Sequence, residues 1–258
     1  MKLNNILLTF FSEFDKDLTE NSLINKFNFF LNEIIKYNRI KNITSLKTDK
    51  QIIIKHFIDS LQIIKFYNIS LCETMLDLGS GAGFPGIPLA IVYPNVNFNL
   101  LESNKKKTNF ISYIIKELNL DNVQVLNNRA EEIAKNDNYR EKYNCCVTRA
   151  FSNLSTTFEI SASFIKKDGY LCLYSSQEQA SLVDKQHNSN FSTLGLKIDH
   201  VMNYELPENN GAHSIIFVKK MWKTVDIYPR TINKINKNPL FNFNKNVHKS
   251  RMFHVERS

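Results

Sequence analysis

The chain has 258 residues, 43% of them hydrophobic and 22% charged, the proportions of a globular protein that buries a substantial core. Collagen-like, disulfide-stapled and wholly disordered classes are excluded, as are membrane-spanning helices, since the longest apolar runs, 52–54 and 89–93, fall far short of the roughly 20 residues that cross a bilayer. The net charge of +8 sits at one end: residues 219–258 hold ten basic and two acidic side chains, whereas residues 1–218 hold 23 of each sign.

The opening Met1-Lys2-Leu3-Asn4-Asn5-Ile6-Leu7-Leu8 imitates a signal peptide, but two asparagines interrupt it and no small-residue cleavage site follows, so a cytoplasmic protein is expected. Residues 10–70 are predicted helical, because Leu23, Phe27, Phe30, Leu31, Ile34 and Ile35 recur at helical spacing, as do Ile54, Phe57, Ile58, Leu61 and Ile64. Asp49 is the expected N-cap of the second run, after a polar connection over 37–44. From residue 73 strands and helices alternate. Strands are predicted at 75–78, 97–102, 123–126, 143–148 and 170–174, with Gly169 as the turn into the last. Helices are predicted at 86–93, 105–118, 130–135, 154–165 and near 177–186. Two final strands, 196–206 and 214–218, flank Pro207-Glu208-Asn209-Asn210-Gly211. This order implies an α/β fold with a mostly parallel sheet and a terminal antiparallel β-hairpin.

The expected organisation is an N-terminal helical cap segment over 1–70, a ligand-binding core over 71–222 and a basic tail over 223–258. The tail is rich in Asn and Lys, has few regular apolar positions, and is expected to have little fixed structure and to meet a polyanion, RNA above all. Cys145 and Cys146 are adjacent and face opposite sides of a strand, Cys72 and Cys172 stand alone, and no Cys-x-x-Cys occurs. Buried reduced thiols are expected, with no metal.

Four of the seven glycines lie within eight residues, in Asp77-Leu78-Gly79-Ser80-Gly81-Ala82-Gly83-Phe84-Pro85-Gly86. A strand-to-helix loop of this kind lets a ligand approach the backbone and aims helix amides at an anionic group. Gly81-x-Gly83-x-x-Gly86 also matches the dinucleotide fingerprint, and Glu102 would accept ribose hydroxyls in either case. Two details oppose a dinucleotide: the acidic Asp77 would repel a pyrophosphate, and Phe84-Pro85 fills the helix start it would use. A cofactor with an ammonium and a carboxylate but no phosphate fits better. S-adenosylmethionine is one, with Asp77 serving its cationic end, the loop amides around Gly79, Gly81 and Gly83 its carboxylate, and Glu102 its ribose. An NAD(P)-dependent oxidoreductase is the alternative, and a non-catalytic RNA-binding module the third reading.

The segment from Asp77 to Ile91 closely resembles the loop of the bacterial small-subunit ribosomal RNA guanine-N7 methyltransferases, the glucose-inhibited division protein B family. Further similarities follow in order at Asn42-Ile43-Thr44, His56-Phe57-Ile58-Asp59-Ser60-Leu61, Glu102-Ser103-Asn104-Lys105-Lys106, Arg129-Ala130-Glu131-Glu132, Thr148-Arg149-Ala150-Phe151 and Tyr228-Pro229-Arg230. The resemblance implies a Rossmann-like class I methyltransferase sheet and S-adenosylmethionine as cofactor. Gly79, Phe84, Glu102, Ser103, Asn104, Ala130, Glu131 and Arg149 would line its site. It implies small-subunit ribosomal RNA, or the small ribosomal subunit, as substrate; no membrane or metal partner is expected from the sequence, and a monomer is expected. The sequence departs from the family after Tyr-Pro-Arg, where Thr231 to Asn238 holds neither Pro nor Gly.

Guanine N7 carries a lone pair at neutral pH, so its methylation needs no general base, and no catalytic histidine is expected. His56 reads as a helix-surface or capping residue. Asp59 and Ser60 are expected to join the N-terminal helices to the sheet. Arg149, Lys105, Lys106 and Lys107 are candidates for phosphate or base contact.

Overall fold

In the computed structural model, which describes residues 2–13, 21–46, 48–184 and 189–243, the alternating segments form one seven-stranded sheet. Its strands are β1 (Thr74–Leu78), β2 (Asn97–Leu101), β3 (Val123–Leu126), β4 (Tyr143–Arg149), β5 (Ile165–Ser176), β6 (Leu196–Glu205) and β7 (Ala212–Lys220), in the order β3-β2-β1-β4-β5-β7-β6. The first five run parallel, and β7 inserts antiparallel between β5 and β6. The terminal hairpin is thus as expected, with β6 at the sheet edge.

The inner strands β1, β4, β5 and β7 bury most of their residues on both faces, which explains their apolar runs. Met75, Cys145, Val147, Cys172 and Phe217 belong to one core cluster, and Leu76, Leu78, Cys146, Leu171 and Val218 to the other, so Cys145 and Cys146 do point opposite ways. All four cysteines are free and buried. Side chains of α1 (Lys2–Ser12), α2 (Asn21–Lys41), α5 (Gly86–Val92) and α6 (Lys105–Glu117) enter the first cluster. So does the helical run from α3 (Asp49–Ile52) through a π-helical stretch, Ile53–Ile58, into α4 (Asp59–Leu61). The second cluster takes side chains from α7 (Ala130–Ile133), α8 (Leu154–Ala162), α9 (Gln177–Asp184), α10 (Ser189–Thr193) and α11 (Ile232–Lys237).

Local expectations needed three corrections. The N-cap of α3 is Thr48, whose hydroxyl accepts from the Gln51 amide at 3.3 Å, and Asp49 is the first helical residue. Helix α8 ends at Ala162 and β5 starts earlier than expected, at Ile165. Tyr143 pairs with Ile165 and Cys145 with Tyr170, so residues 166–169 arch out of the ladder within β5. Gly169 serves close packing there, since a Cβ would stand 2.6 Å from the Asn144 carbonyl.

The third correction concerns the C-terminal segment. Residues 223–243 are docked on the sheet's second face: Tyr228, Ile235 and Phe241 are buried. Arg230 grips Glu159 of α8 through Nε and Nη2 at 2.9 and 2.6 Å. Lys220 is wholly buried, its ammonium on Glu141 at 3.0 Å and on the Ala162 carbonyl. Single anchors separated by polar residues leave no periodicity, which is why this segment reads as a tail in the sequence. Residues 244–258 of the expected basic tail lie outside the described residues.

Candidate cofactor and substrate cleft

Strand β1 is flanked by β2 and β4, and its C-terminal end is the point where the sheet order reverses, a place where open α/β sheets bind ligands. The glycine loop leaves the sheet here and borders a cleft of about 650 Å³. Gly79, Gly81 and Gly83 have φ of +78°, +59° and +98°, a region costly for any residue with a side chain. A Cβ on Gly79 would strike Phe151 at 2.6 Å, and one on Gly83 would strike Ile87 at 2.5 Å. At Gly81 the nearest heavy atom would be the Gly79 carbonyl at 4.0 Å, so an added side chain would project into open space.

Eight of the eleven expected site residues line the cleft: Gly79, Gly81, Phe84, Glu102, Ser103, Ala130, Glu131 and Arg149. Glu102, just past β2, accepts the Gly81 amide on Oε2 at 3.0 Å and the Asn104 amide on Oε1 at 2.7 Å. Its carboxylate is thereby aimed at the cleft floor, with lone pairs left for a diol. The other three expected residues stand behind the wall. Gly83 packs on α5. Asn104 is the N-cap of α6 and accepts the Lys106 and Lys107 amides. Asp77 is fully buried under the loop, and its Oδ2 accepts the Gly86 amide at 2.8 Å while Oδ1 has no partner. Burial pushes its carboxyl up to about 7.

Asp77 therefore occupies the helix-terminal amide that a pyrophosphate would need. The amides of Gly79 and Ser80 donate to the Leu101 carbonyl, that of Gly81 to Glu102, and those of Gly83 and Phe84 to the Ser80 carbonyl. The expectation that these amides await an anionic group is corrected; they hold the loop in shape.

The opposite wall was only partly legible in the sequence. Ile43, Thr44 and Ser45 from the connection before α3 reach the cleft, with His56 from the π-helical stretch. His56 is no surface or capping residue. Its ring stacks on Phe84 at 4.4 Å and 18°, Nδ1 accepts from Arg149 Nη2 at 3.1 Å, and Nε2 stands 2.7 Å from Thr44 Oγ1. A guanidinium only donates, so the imidazole proton is on Nε2, directed to Thr44. Burial, then the Arg149 charge, hold His56 down at about 3, so it is neutral. Arg149 is tethered by the Lys55 carbonyl at 3.1 Å and by Asp59 Oδ2 at 2.6 Å, and Tyr204 donates to Asp59 Oδ1 at 2.6 Å. Tyr174 donates to the Ser60 carbonyl at 2.5 Å. Asp59 and Ser60 thus join the helices to the sheet as expected. Of the lysine triplet, Lys107 lines the cleft.

The far end, over the sheet's second face, is lined by Asn128, Arg129, Phe151, Thr156, Ile160 and, from the C-terminal segment, Ile232. Sequence reasoning missed Thr156, Ile160 and Ile232, and no motif marks them. Among the described residues no three His, Cys, Asp or Glu side chains are grouped to hold a metal, and no helix is long and apolar enough to cross a membrane.

With this geometry in view, the family model described as rRNA small subunit methyltransferase G matches residues 23–209. The chain belongs to that family. Ribosomal RNA small subunit methyltransferase G of Lachnoclostridium phytofermentans is 35% identical over 224 residues, 87% of this chain and 92% of the relative. The protein of that name from Clostridium botulinum strain 657 is 35% identical over 243 residues, 93% of this chain and 100% of the relative. The family model's match spans the loop, Glu102, Arg149 and the β6 strand, and ends at residue 209. A SAM-dependent methyltransferase from Aquifex aeolicus superposes with a TM-score of 0.51 at 15% identity, covering 69% of this chain and 96% of that one. That likeness shows the Rossmann-like methyltransferase fold.

Proposed function

We infer that the protein transfers a methyl group from S-adenosylmethionine to N7 of a guanine in small-subunit ribosomal RNA. The observation that carries this reading is the cleft at the sheet's reversal point, floored by a glycine-rich loop and Glu102, in a chain of the rRNA small subunit methyltransferase G family. The residues present fit the cofactor. Asp77 fills the amide a dinucleotide would take, which disfavours an NAD(P)-dependent oxidoreductase. Gly79 and Gly81 leave room for close approach, and Glu102 would hold the ribose hydroxyls. Ser103, Ala130 and Glu131 would lie along the nucleoside, and Arg149 and Phe84 at the amino-acid end.

When bound, the cofactor supplies an electrophilic methyl on a sulfonium. The chain's part is alignment and exclusion of water. Phe84, stacked on Phe30 at 5.3 Å and on His56, makes a rigid aromatic floor. Neutral His56 would add no cation to a cleft that takes a sulfonium, and Asp59 offsets the charge of Arg149. The reaction moves positive charge onto the purine without releasing a proton from N7, which agrees with a site whose histidine does not titrate near neutrality. N7 faces the deep groove of A-form RNA, so the target guanine is taken from a loop or swung out of its stack. The enzyme is read as a cytoplasmic monomer acting where ribosomal subunits are made, with Lys107 at the cleft and the basic C-terminal charge drawing in RNA.

The deciding experiment is methyl transfer from labelled S-adenosylmethionine to small subunits, and to naked RNA, from a strain lacking the gene. Label is expected in N7-methylguanosine, and Gly81→Val, which fills the cleft, should abolish it. Cofactor binding without label on either substrate would leave a non-catalytic RNA-binding module as the function.

A further inference from the structure

Two features of the cleft's far end have no part in the account above. Thr156, in the first turn of α8, is 1% exposed, lines the cleft, and its Oγ1 has no hydrogen-bond partner. A buried hydroxyl without a partner is costly, and in a binding cleft it marks a group that a ligand satisfies. Ile232, the first residue of α11, enters the same cleft from the C-terminal segment, 76 residues beyond Thr156 in the chain. Ile232 is held there by its neighbour Arg230, whose backbone amide and Nε both donate to Glu159 Oε1 at 2.9 Å and whose Nη2 donates to Oε2 at 2.6 Å. Glu159 is wholly buried, three residues along α8 from Thr156. One helix therefore carries both the unpartnered hydroxyl and the anchor for the apolar side chain facing it.

The cleft's lining comes from elements on the two faces of the sheet, and Glu102, just past β2, lies at the sheet's edge between those faces. The end from first-face elements is built from Thr44, Ser45 and His56 with Arg149; the end from second-face elements holds the apolar Ala130, Phe151, Ile160 and Ile232 with Thr156, and Asn128, Arg129 and Glu131 from around the start of α7. A nucleoside whose ribose is held at Glu102 places its charged amino-acid portion at the first end and its flat, uncharged ring at the second. We propose that the C-terminal segment closes the adenine end of the cofactor site, with Ile232 packing on the ring and the Thr156 hydroxyl bonding to one of its nitrogen groups. This rests on the S-adenosylmethionine reading. It makes the segment after Tyr228-Pro229-Arg230 part of the cofactor pocket and Arg230 a positioning residue for it.

Calorimetric titration of the full chain with S-adenosylhomocysteine and, separately, with adenosine tests the assignment. Thr156→Val removes only the hydroxyl, and Ile232→Ala only the apolar contact. Each is expected to weaken both ligands by about three- to tenfold, the range for one hydrogen bond or a few buried methyl groups. The melting temperature of ligand-free Thr156→Val should hold or rise, because an unsatisfied buried hydroxyl is lost; a purely structural threonine would lower it. Unchanged affinities in both variants overturn the proposal. Weakened S-adenosylhomocysteine with unchanged adenosine overturns its placement at the adenine end. Failure of the unaltered protein to bind either ligand overturns the cofactor reading itself, and the proposal with it.

Discussion

His56 shows how one side chain can be set by its surroundings against its ordinary behaviour. Its ring stacks on Phe84 and takes the guanidinium of Arg149 at its Nδ1 edge, and the pKa is held at about 3 against an ordinary 6.5. The folded protein thus binds this proton more weakly than the unfolded chain. The stability His56 lends is fully present above pH 6.5 and is lost as the pH falls from there towards 3. Asp77, pushed up to about 7, works the other way over the same range, so the test is a difference: on acidification from about pH 7.5 to 4.5 the urea midpoint of the unaltered protein should fall relative to that of His56→Gln. An equal slope in the variant would show that other groups drive it. Nothing in the sequence exposed this environment, because Phe84, Arg149 and Thr44 lie 28, 93 and 12 positions away. The glycine loop and Glu102 were legible, since a turn with φ above zero and an acid ending the next strand leave local marks. Asp77 was legible as acidic but not as the partner of the Gly86 amide, which depends on how tightly α5 sits on β1.

The elements beyond β7 carry the clearest case of structure held by few contacts. Helix α11 has six residues, too few to persist alone, and it stays in place through Ile235, Phe241 and the Glu159–Arg230 pair. Glu159 is 0% exposed and Arg230's side chain 20%, so Arg230→Ala would leave a buried carboxylate with no cation. Breaking such a pair costs about 3–5 kcal/mol. Denaturant unfolding should show a loss of that order, and Glu159→Gln, which keeps acceptors for the Arg230 amide, should lose less. Periodicity found α2, α6 and the five parallel strands because each repeats its apolar positions over several turns or pleats. It missed the π-helical stretch at Ile53–Ile58 and the arch at 166–169, where one added residue or a reversed φ changes the register without changing composition.

Across the molecule the charge is uneven, and docking of the C-terminal segment changes what that charge can do. Lys220 and Arg230 are committed to Glu141 and Glu159, leaving the basic excess to the exposed lysines and to residues 244–258, with Lys245, Lys249, Arg251 and Arg257 against Glu256. Ending the chain at Phe243 should leave S-adenosylhomocysteine affinity unchanged. It should weaken RNA binding at 50 mM salt and reduce the log–log salt slope by up to about 3, since each phosphate contact contributes roughly 0.7–0.9. An unchanged slope would place the RNA contacts on the body of the protein instead. The sheet that carries this charge has guarded margins. Edge strand β3 has only four residues. Edge strand β6 breaks register between Ile198 and His200, with Lys197, Asp199 and His200 exposed around the break. A bulge and charges of this kind leave a neighbouring molecule no flat ladder to extend. Copies crowded along one polyanion can therefore stand side by side without their sheets fusing.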